Sequence, residues 1–443
     1  MNFHAADAIV RAVLYEGYLL YPYRPTAIKN RQRWSFGGLY PAGCTSLGST
    51  QLHTQCLVEA NANTRIEARV RFLQPMARRL GELLPPLLNW LQDREPYREP
   101  PYRQVDVLLC DGRRYYSWDE SVERELTLPA VSIDELAAGL APLEFAFPAI
   151  RTLEPISDTG GRICGVLIRS QAAVAGRVTL AIDPLGAGAW RLTASIENTT
   201  TLPSTTALPT ATLPAATAPD RDAAQLAAFL STHVILGVED GAFVSLIDPP
   251  EPLAQAARRC VNQSAWPVLV GNPGERDTLL CSPIILYDHP QIAPESPGDL
   301  YDGTEIDEIL TLRILSMTAA EKQEMAATDE RARALLVRTE SLSQQQLLRL
   351  HGVMRSPPDA LALRVGDQVR LRPRSGGDVL DIALAGQVAL IEAIEVDFEN
   401  RVHVAVTLND DPGRDLGRDR MPGHRFFFSP EEIESLSDAG QRR

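Results

Sequence analysis

Alternation of core-type and charged residues is the feature that most constrains how this chain can fold. Residues suited to a core recur at every second position between 50 and 75, with polar residues between them. Side chains of a strand point alternately to its two faces, so this period predicts strands with one buried face. The alternating positions are Leu52, Thr54, Cys56 and Val58, then Ile66, Ala68, Val70 and Phe72, with Arg65, Glu67, Arg69 and Arg71 on the opposite face.

The middle of the chain has the same character. Apolar runs within 162–197 are separated by turn signals at intervals typical of a β-sandwich. The Thr/Pro/Ala-rich stretch 199–219 has no apolar period and is predicted to be a solvated linker. Two later runs, 233–238 and 242–247, flank the turn sequence at 239–241 and predict a hairpin. We interpret that hairpin as a return to the same domain, which makes the linker an insertion.

Helices are predicted in three places. Residues 5–20 suit a short buried helix, and the leucine-rich stretch 76–92 suits a helix that Pro85-Pro86 interrupts. Three or four short helices are predicted within 304–355, where hydroxyl residues stand before acidic or amide residues at the spacing of a capping box. The predicted starts of these helices are Thr318 with Glu321, Ser343 with Gln346, and Thr328.

A small β-barrel is predicted at residues 361–436. Val402, Val404, Val406 and Leu408 alternate strictly, and an opening strand contains Val369. The run from Ser429 to Glu432 has serine at the cap, proline at the first position and glutamate at the third, which predicts a helix. A compact SH3-like barrel followed by a terminal helix fits these patterns best.

The patterns together predict an α+β, multi-domain protein. Its N-terminal and middle parts are mostly antiparallel β and sandwich-like, followed by a short all-α segment and a C-terminal SH3-like β-barrel. The predicted domains are residues 1–150, mixed α/β; 151–300, β-sandwich-like with an insertion at about 199–219; 301–358, helical; and 359–443, the barrel with its terminal helix.

Charge and hydropathy limit the partners that this chain can have. The net charge of −14 argues against a general nucleic-acid binder, because neutralising phosphates requires a basic face. No apolar run reaches the roughly 18 residues of a membrane span. The first residues lack a basic segment followed by an apolar one, so we expect no signal peptide and a cytoplasmic location.

The sequence predicts no catalytic residue, metal site or cofactor. Its six cysteines include no CxxC pair and no histidine at a zinc-ligand interval, so we expect mostly buried free thiols. Nucleophile-elbow, Walker, HExxH and dinucleotide-binding motifs are missing.

Two groups of residues are candidates for binding a protein partner. Tyr21, Tyr23, Arg24 and Trp34 form an aromatic and basic cluster among prolines, and these residue types carry interface hot spots. The alternative for them is core packing. The second group follows Cys281 in a segment that fits no generic pattern, and it comprises Tyr287, Asp288, His289 and Glu295. Neighbouring Asp288 and His289 would point to opposite faces of a strand, so a structural role is the alternative there.

Four segments resemble an uncharacterised bacterial family whose genes lie in clusters for nickel-iron hydrogenases of the high-affinity uptake type. The segments are Leu14-Tyr-Glu-Gly-Tyr-Leu-Leu-Tyr-Pro-Tyr-Arg-Pro, Ser282-Pro-Ile-Ile-Leu-Tyr-Asp-His-Pro, Glu305-Ile-Asp-Glu-Ile-Leu-Thr-Leu-Arg and Arg349-Leu-His-Gly. The resemblance covers nearly the whole chain and implies an accessory or assembly role. It transfers no catalytic residue.

Three functions from different classes follow. The first is a non-enzymatic accessory, assembly or scaffold protein, with a hydrogenase subunit or maturation factor as partner. The second is an enzyme or metallochaperone whose site combines non-sequential residues around 281–308, such as Cys281, Asp288, His289 and Glu295. The third is a structural component of a larger protein particle.

Overall fold

The chain divides into two compact units, Met1–Leu347 and Leu348–Arg443. The computed structural model describes the following parts of the 443-residue chain: residues 2–27, 30, 37–87, 99–202, 221–292, 307–343, 346, 363–372, 384–396, 402–411 and 425–436.

A sheet of eleven strands, all paired antiparallel, dominates the first unit. Two further strands, β3 and β4, form a hairpin of their own. The strands of this unit are β1 (Gln51–Leu87), β2 (Arg103–Val105), β3 (Val107–Cys110), β4 (Arg113–Tyr116), β5 (Trp118–Ser132), β6 (Leu143–Phe147), β7 (Ile150–Ser157), β8 (Ile163–Gln171), β9 (Val174–Gly186), β10 (Ala189–Asn198), β11 (Leu230–Val244), β12 (Trp266–Leu269) and β13 (Thr278–Ser282).

Strand β1 is 37 residues long and organises the sheet. On one edge it pairs in succession with β10, β5 and β2, and on the other with β11 and then β8. Both alternating runs recognised in the sequence lie on it. Because its partners come from before and after residue 150, the predicted boundary at 150 does not separate two compact bodies.

The prediction of a helix at 76–92 is wrong for its described part, because β1 continues to Leu87. Residues of this stretch pair with β5, β8 and β2, and that tertiary pairing overrides the helix propensity of its leucines. Gly81 shows how close the neighbours come: a Cβ there would lie 2.6 Å from the ring of Tyr102 and 2.7 Å from Val166. Glycine is therefore needed in the strand.

The hairpin predicted at 233–247 is also wrong, since β11 is one strand through Val244. Asp240, with φ of 52°, makes an irregularity opposite the interruption of β1 pairing between Ala60 and Arg65. The Thr64 hydroxyl (2.6 Å) and the Asn61 amide (2.9 Å) donate to the Asp240 carbonyl. The turn-type residues thus form a bulge that two side chains stabilise. Strands β10 and β11 both pair with β1, so the chain returns to the same sheet after the Thr/Pro/Ala-rich stretch, whose residues 203–219 lie outside the described part.

Seven α-helices are found in the described residues, and four of them cover one face of β11–β13. Side chains alternate between two cores along these strands: Val234 and Leu236 lie in the larger core, whereas Ile235 packs against helices. The helices are α1 (Phe3–Val13), α2 (Ile133–Ala137), α3 (Arg221–Leu226), α4 (Glu251–Arg258), α5 (Asp307–Leu315), α6 (Ala319–Ala326) and α7 (Glu330–Glu340), of which α1, α5, α6 and α7 face this core. The predicted helix at 5–20 thus ends earlier, at Val13.

Helix starts in this region follow the sequence closely. Thr318 and Glu321 form the predicted capping box of α6, and Ser343 and Gln346 exchange the same pair of hydrogen bonds. The predicted cap Thr328 is one residue off, because Asp329 accepts the Ala332 N–H at 2.8 Å and caps α7.

The second unit contains a five-stranded antiparallel sheet in the order β17-β16-β15-β14-β18. Its strands are β14 (Gln368–Leu371), β15 (Val388–Val396), β16 (Val402–Leu408), β17 (Phe426–Phe428) and β18 (Ile433–Ser435). The prediction of a terminal helix is wrong. Ser429 and Glu432 form the predicted capping pair, but this pair starts only a single 3₁₀ turn, Pro430–Glu432. Pairing of the next residues with β14 as β18 ends that turn.

The observed class is α+β with mostly antiparallel sheets, as predicted. Among the described residues no helix has both the length and the apolar composition that crossing a bilayer requires. All six cysteines are free, and four of them are buried, which confirms the expectation from their spacing.

Candidate functional site

The segment 283–292 is held rigidly against the sheet by Asp288. One carboxylate oxygen of Asp288 accepts the Leu269 N–H at 2.8 Å, and the other accepts the Ser245 hydroxyl. The next residue, His289, donates its backbone N–H to the Leu269 carbonyl at 2.7 Å. These bonds fix a segment without regular structure to the end of β12. Asp288 therefore anchors the backbone, which is the structural alternative stated for it.

Anchoring Asp288 leaves apolar side chains facing solvent. Ile285 and Tyr287 keep 77% and 68% of their surface exposed, while Leu286 between them packs into the helix-covered core. Ile247 is also exposed, and its N–H donates to the Ser245 hydroxyl that binds Asp288. We call Ile247, Ile285 and Tyr287 the anchored apolar surface. Exposed aromatic and aliphatic groups on ordered backbone suit contact with another protein.

His289 and Asp288 are not hydrogen-bonded to each other, since the Asp288 carboxylate binds Ser245 and Leu269. The φ of His289 is 55°, its Nδ1 is buried without a hydrogen-bond partner, and its charged form would act on Glu275. The pKa of the Glu275 carboxyl is lowered mainly by hydrogen bonds from Asn272 and Asn2. Asp288 and His289 therefore do not form an acid–base pair with each other. Glu295 lies outside the described residues.

Cys281, the third member of the proposed metal or catalytic group, is enclosed in the core. Burial raises the pKa of its thiol to about 12, so the thiol is protonated at neutral pH. Cys56, whose thiol pKa burial also raises, lies in the same core cluster. A protonated, enclosed thiol is neither a nucleophile nor a metal ligand. In the described residues no three histidine, cysteine or acidic side chains are grouped to hold a metal ion.

A histidine–serine pair that the sequence interpretation missed lies in the sheet. His233 Nδ1 is 2.7 Å from the Ser231 carbonyl oxygen, so that nitrogen carries the proton. Nε2 then accepts the Ser282 hydroxyl at 3.3 Å. Both side chains are fully buried, and burial lowers the pKa of His233 to about 4. The arrangement is that of a dyad, yet it is sealed from solvent and satisfies polar groups inside the core. The partnership comes from antiparallel pairing of β11 with β13, which spacing along the chain does not show.

The first predicted group is divided by the structure. Tyr23 is fully buried in the helix-covered core, so core packing, the stated alternative, describes its ring. Tyr21 meets the Tyr23 ring edge-on at 6.0 Å and lies under the Arg313 guanidinium at 5.3 Å. Arg24 points outward to Glu321 at 3.2 Å and Glu324 at 3.8 Å. Trp34 lies outside the described residues.

Arg24 belongs to the wall of a wide charged cleft of about 1260 Å³ in the first unit. Its lining residues come from the β3–β4 hairpin, from strands β1, β5, β7 and β8, and from helices α6 and α7 with the segments next to them. Six arginines line it, namely Arg24, Arg78, Arg113, Arg114, Arg169 and Arg333, together with six acidic residues, Glu120, Glu154, Glu321, Glu324, Asp329 and Glu330.

Arg78 holds the three parts of the cleft together. Its guanidinium donates to Glu120 at 2.9 Å, to the Tyr116 carbonyl at 3.1 Å and to the Thr328 carbonyl. The side chain is only 7% exposed. One buried arginine thus joins β4, β5 and the turn between α6 and α7. Sequence reasoning did not single it out, because its partners are 38 to 250 positions away.

Comparisons with known proteins add no identity. No model of a known family matches the chain, and no curated protein matches it.

Proposed function

We propose that this chain is a non-enzymatic accessory or assembly protein that binds a hydrogenase subunit or a hydrogenase maturation factor in the cytoplasm. The observation that carries the binding role is the anchored apolar surface. Ile285 and Tyr287 stand in solvent on a backbone that Asp288 fixes at two points. When the backbone is already fixed, binding does not have to order it, and this favours affinity.

The hydrogenase setting is supported by the resemblance of four segments. One of them, 282–290, contains both Ile285 and Tyr287, and another, 14–25, packs with Leu286 against the same core. The resembling residues therefore include the anchored apolar surface and its support.

We further propose that the second unit is an SH3-like barrel and that strands of the first unit pack in a sandwich-like way. The five-stranded antiparallel order and the core of Val369, Leu371, Ile391, Val404 and Val406 support the barrel. The core that gathers side chains from β1, β9, β10 and β11 supports the sandwich-like packing.

The binding role is tested by purifying the tagged chain from its native host and quantifying co-purified hydrogenase subunits and maturation factors. The double variant Ile285→Ser, Tyr287→Ser should recover at least about tenfold less of the partner, since a hot-spot side chain typically contributes 2 kcal/mol or more. The matched control is Leu84→Ser, Val337→Ser, whose wild-type side chains are similarly exposed at 64% and 61%. Equal recovery by both variants would remove the anchored apolar surface as the binding site.

The hydrogenase role is tested separately by deleting the gene. Hydrogen uptake should fall at high and at trace hydrogen while transcription of the hydrogenase genes stays unchanged. Complementation with the wild-type chain should restore uptake, and the serine double variant should not. Unchanged uptake in the deletion strain, together with no hydrogenase protein in the purified complex, would overturn the hydrogenase assignment.

A further inference from the structure

We infer that the charged cleft is a second binding site, which takes an acidic segment of a partner protein and holds its carboxylates with Arg113 and Arg114. None of the cleft's described lining residues belongs to the anchored apolar surface, so this site is distinct from the one proposed above.

The charges that line the cleft are satisfied unequally. All six acidic side chains have partners: Glu120 binds Arg78 and Arg169, Glu154 binds Arg169, Glu321 and Glu324 bind Arg24, Asp329 accepts the Tyr18 hydroxyl, and Glu330 binds Arg333. Arg113 and Arg114 are exposed, and their side chains make no hydrogen bond or ion pair with any residue that the structure describes. The unmet bonding capacity of the cleft is therefore cationic, which selects an anionic ligand.

The hairpin holds the backbone of these two arginines in place before any ligand arrives. Asp111 and Gly112 both have positive φ, at 52° and 76°, which gives the tight two-residue turn of a hairpin. The tip is tied by the Asp111 carboxylate, which accepts the Thr159 N–H at 3.1 Å. The base is packed by Leu108, which lies so close to Gly165 that a Cβ there would be 2.4 Å away. Guanidinium groups on a fixed hairpin bind at a lower entropic cost.

The size and surface of the cleft favour a polypeptide as the occupant. Its volume of about 1260 Å³ exceeds the roughly 300–1,000 Å³ of a typical small-molecule pocket. Leu109 pairs directly with Arg114 across the hairpin, and its side chain is 65% exposed. Directly paired residues share a face of the sheet, so Leu109 offers an apolar contact beside Arg114, whereas Arg113, the preceding residue of the strand, projects to the other face. A segment with neighbouring acidic residues and flanking apolar residues matches this surface.

A nucleic acid matches it less well. A phosphate chain would place charge along the whole cleft, including beside the six acidic residues, and the protein carries a net charge of −14. An acidic pair within a peptide places its charge only at the two arginines.

The test uses the full chain and a pooled library of short peptides with a central pair of glutamates and random flanking residues. Bound peptides are identified by mass spectrometry, and the best are measured by fluorescence polarisation. The variant Arg113→Gln, Arg114→Gln should weaken binding at least about tenfold, because charge-assisted bonds to carboxylates are lost. The matched control is Arg258→Gln, Arg259→Gln, another exposed arginine pair, at the end of α4 and outside the cleft. It should bind like the wild type.

Three outcomes would overturn the inference. The first is that no glutamate peptide binds saturably. The second is that both arginine variants weaken binding equally, which would indicate general charge attraction. The third is that an oligothymidine probe binds tighter than every peptide and loses binding in the Arg113, Arg114 variant, which would assign the site to nucleic acid. The peptides are synthetic and are not taken from a hydrogenase protein, so the result does not depend on the hydrogenase assignment.

Discussion

The His233–Ser282 pair and the charged cleft are two polar regions of the same unit, and they differ in their access to solvent. His233 and Ser282 are fully buried, and each is satisfied by a partner inside the core. In the cleft both terminal nitrogens of the buried Arg78 have acceptors, whereas Arg113 and Arg114 on the hairpin have no partner among the described residues. Reactive residue types in a sealed place contribute to stability, whereas unsatisfied groups in an open place are available to a ligand.

The largest effect that this comparison predicts is at the buried end of the cleft. Arg78→Met removes a guanidinium that joins β4, β5 and the α6–α7 turn, and it leaves two carbonyls without a donor. Breaking a buried charge pair costs about 3–5 kcal/mol, and we expect the lower part of this range because Glu120 keeps Arg169. Arg114→Met, in the same cleft but exposed, should change stability by no more than about 0.5 kcal/mol.

Urea unfolding followed by tryptophan fluorescence measures this difference. All five tryptophans lie before residue 348, so the signal reports the first unit alone. Equal midpoints for the two variants would mean that the contacts of Arg78 do not stabilise the unit. The buried and the exposed arginine would then contribute equally to stability.

The second prediction concerns the sealed pair and pH. Burial lowers the pKa of His233 from 6.5 to about 4, so the unfolded chain binds more protons than the folded chain between these values. Stability is therefore full above pH 6.5, falls as pH drops towards 4, and changes no further through this group below 4. The shift corresponds to roughly 3–4 kcal/mol, since each pKa unit is worth about 1.4 kcal/mol.

The pH effect is isolated by comparing the wild type with His233→Asn. Asparagine keeps a donor for the Ser231 carbonyl but does not titrate, so the variant should lose stability more slowly than the wild type as pH falls from 6.5 to 4. His4→Asn, which removes an exposed histidine, is the control for composition. Parallel curves of stability against pH for the wild type and His233→Asn would show that burial does not lower the pKa of His233.

The sequence predicted an element correctly when the residues that determine it are close together in the chain. Local signals succeeded: the alternation at 52–58 and 66–72 lies on a strand, and Thr318 caps a helix. Signals that depend on distant partners failed. The leucines of 76–87 look helical until β5 and β8 pair with them, and Asp240-Gly241 looks like a turn until Thr64 and Asn61 bind it.

The candidate sites show the same limit. Tyr287 is a candidate because its segment fits no generic pattern, and its side chain is exposed. Tyr23 is of the same type, yet it is buried, because α5–α7 return to it from about 300 positions away. The sequence does not show which arginines of the cleft lack a partner. In the structure Glu120 and Glu154 pair with Arg78 and Arg169, and not with Arg113 or Arg114.

A loss of stability smaller than those at Arg78 and His233 is predicted at Asp288, which is half-buried and has hydrogen-bond partners. Asp288→Ala leaves the Leu269 N–H and the Ser245 hydroxyl without their acceptor. A lost acceptor for a half-buried donor costs about 1–3 kcal/mol, and we expect the lower end because solvent reaches this segment. Binding should suffer more than stability, since Ile285 and Tyr287 depend on that anchor for their position. The expected result is a small shift in the urea midpoint together with loss of partner recovery comparable to that of Ile285→Ser, Tyr287→Ser. Full recovery of the partner by a folded Asp288→Ala chain would show that the apolar side chains bind without a fixed backbone, and that pre-organisation contributes nothing at this surface.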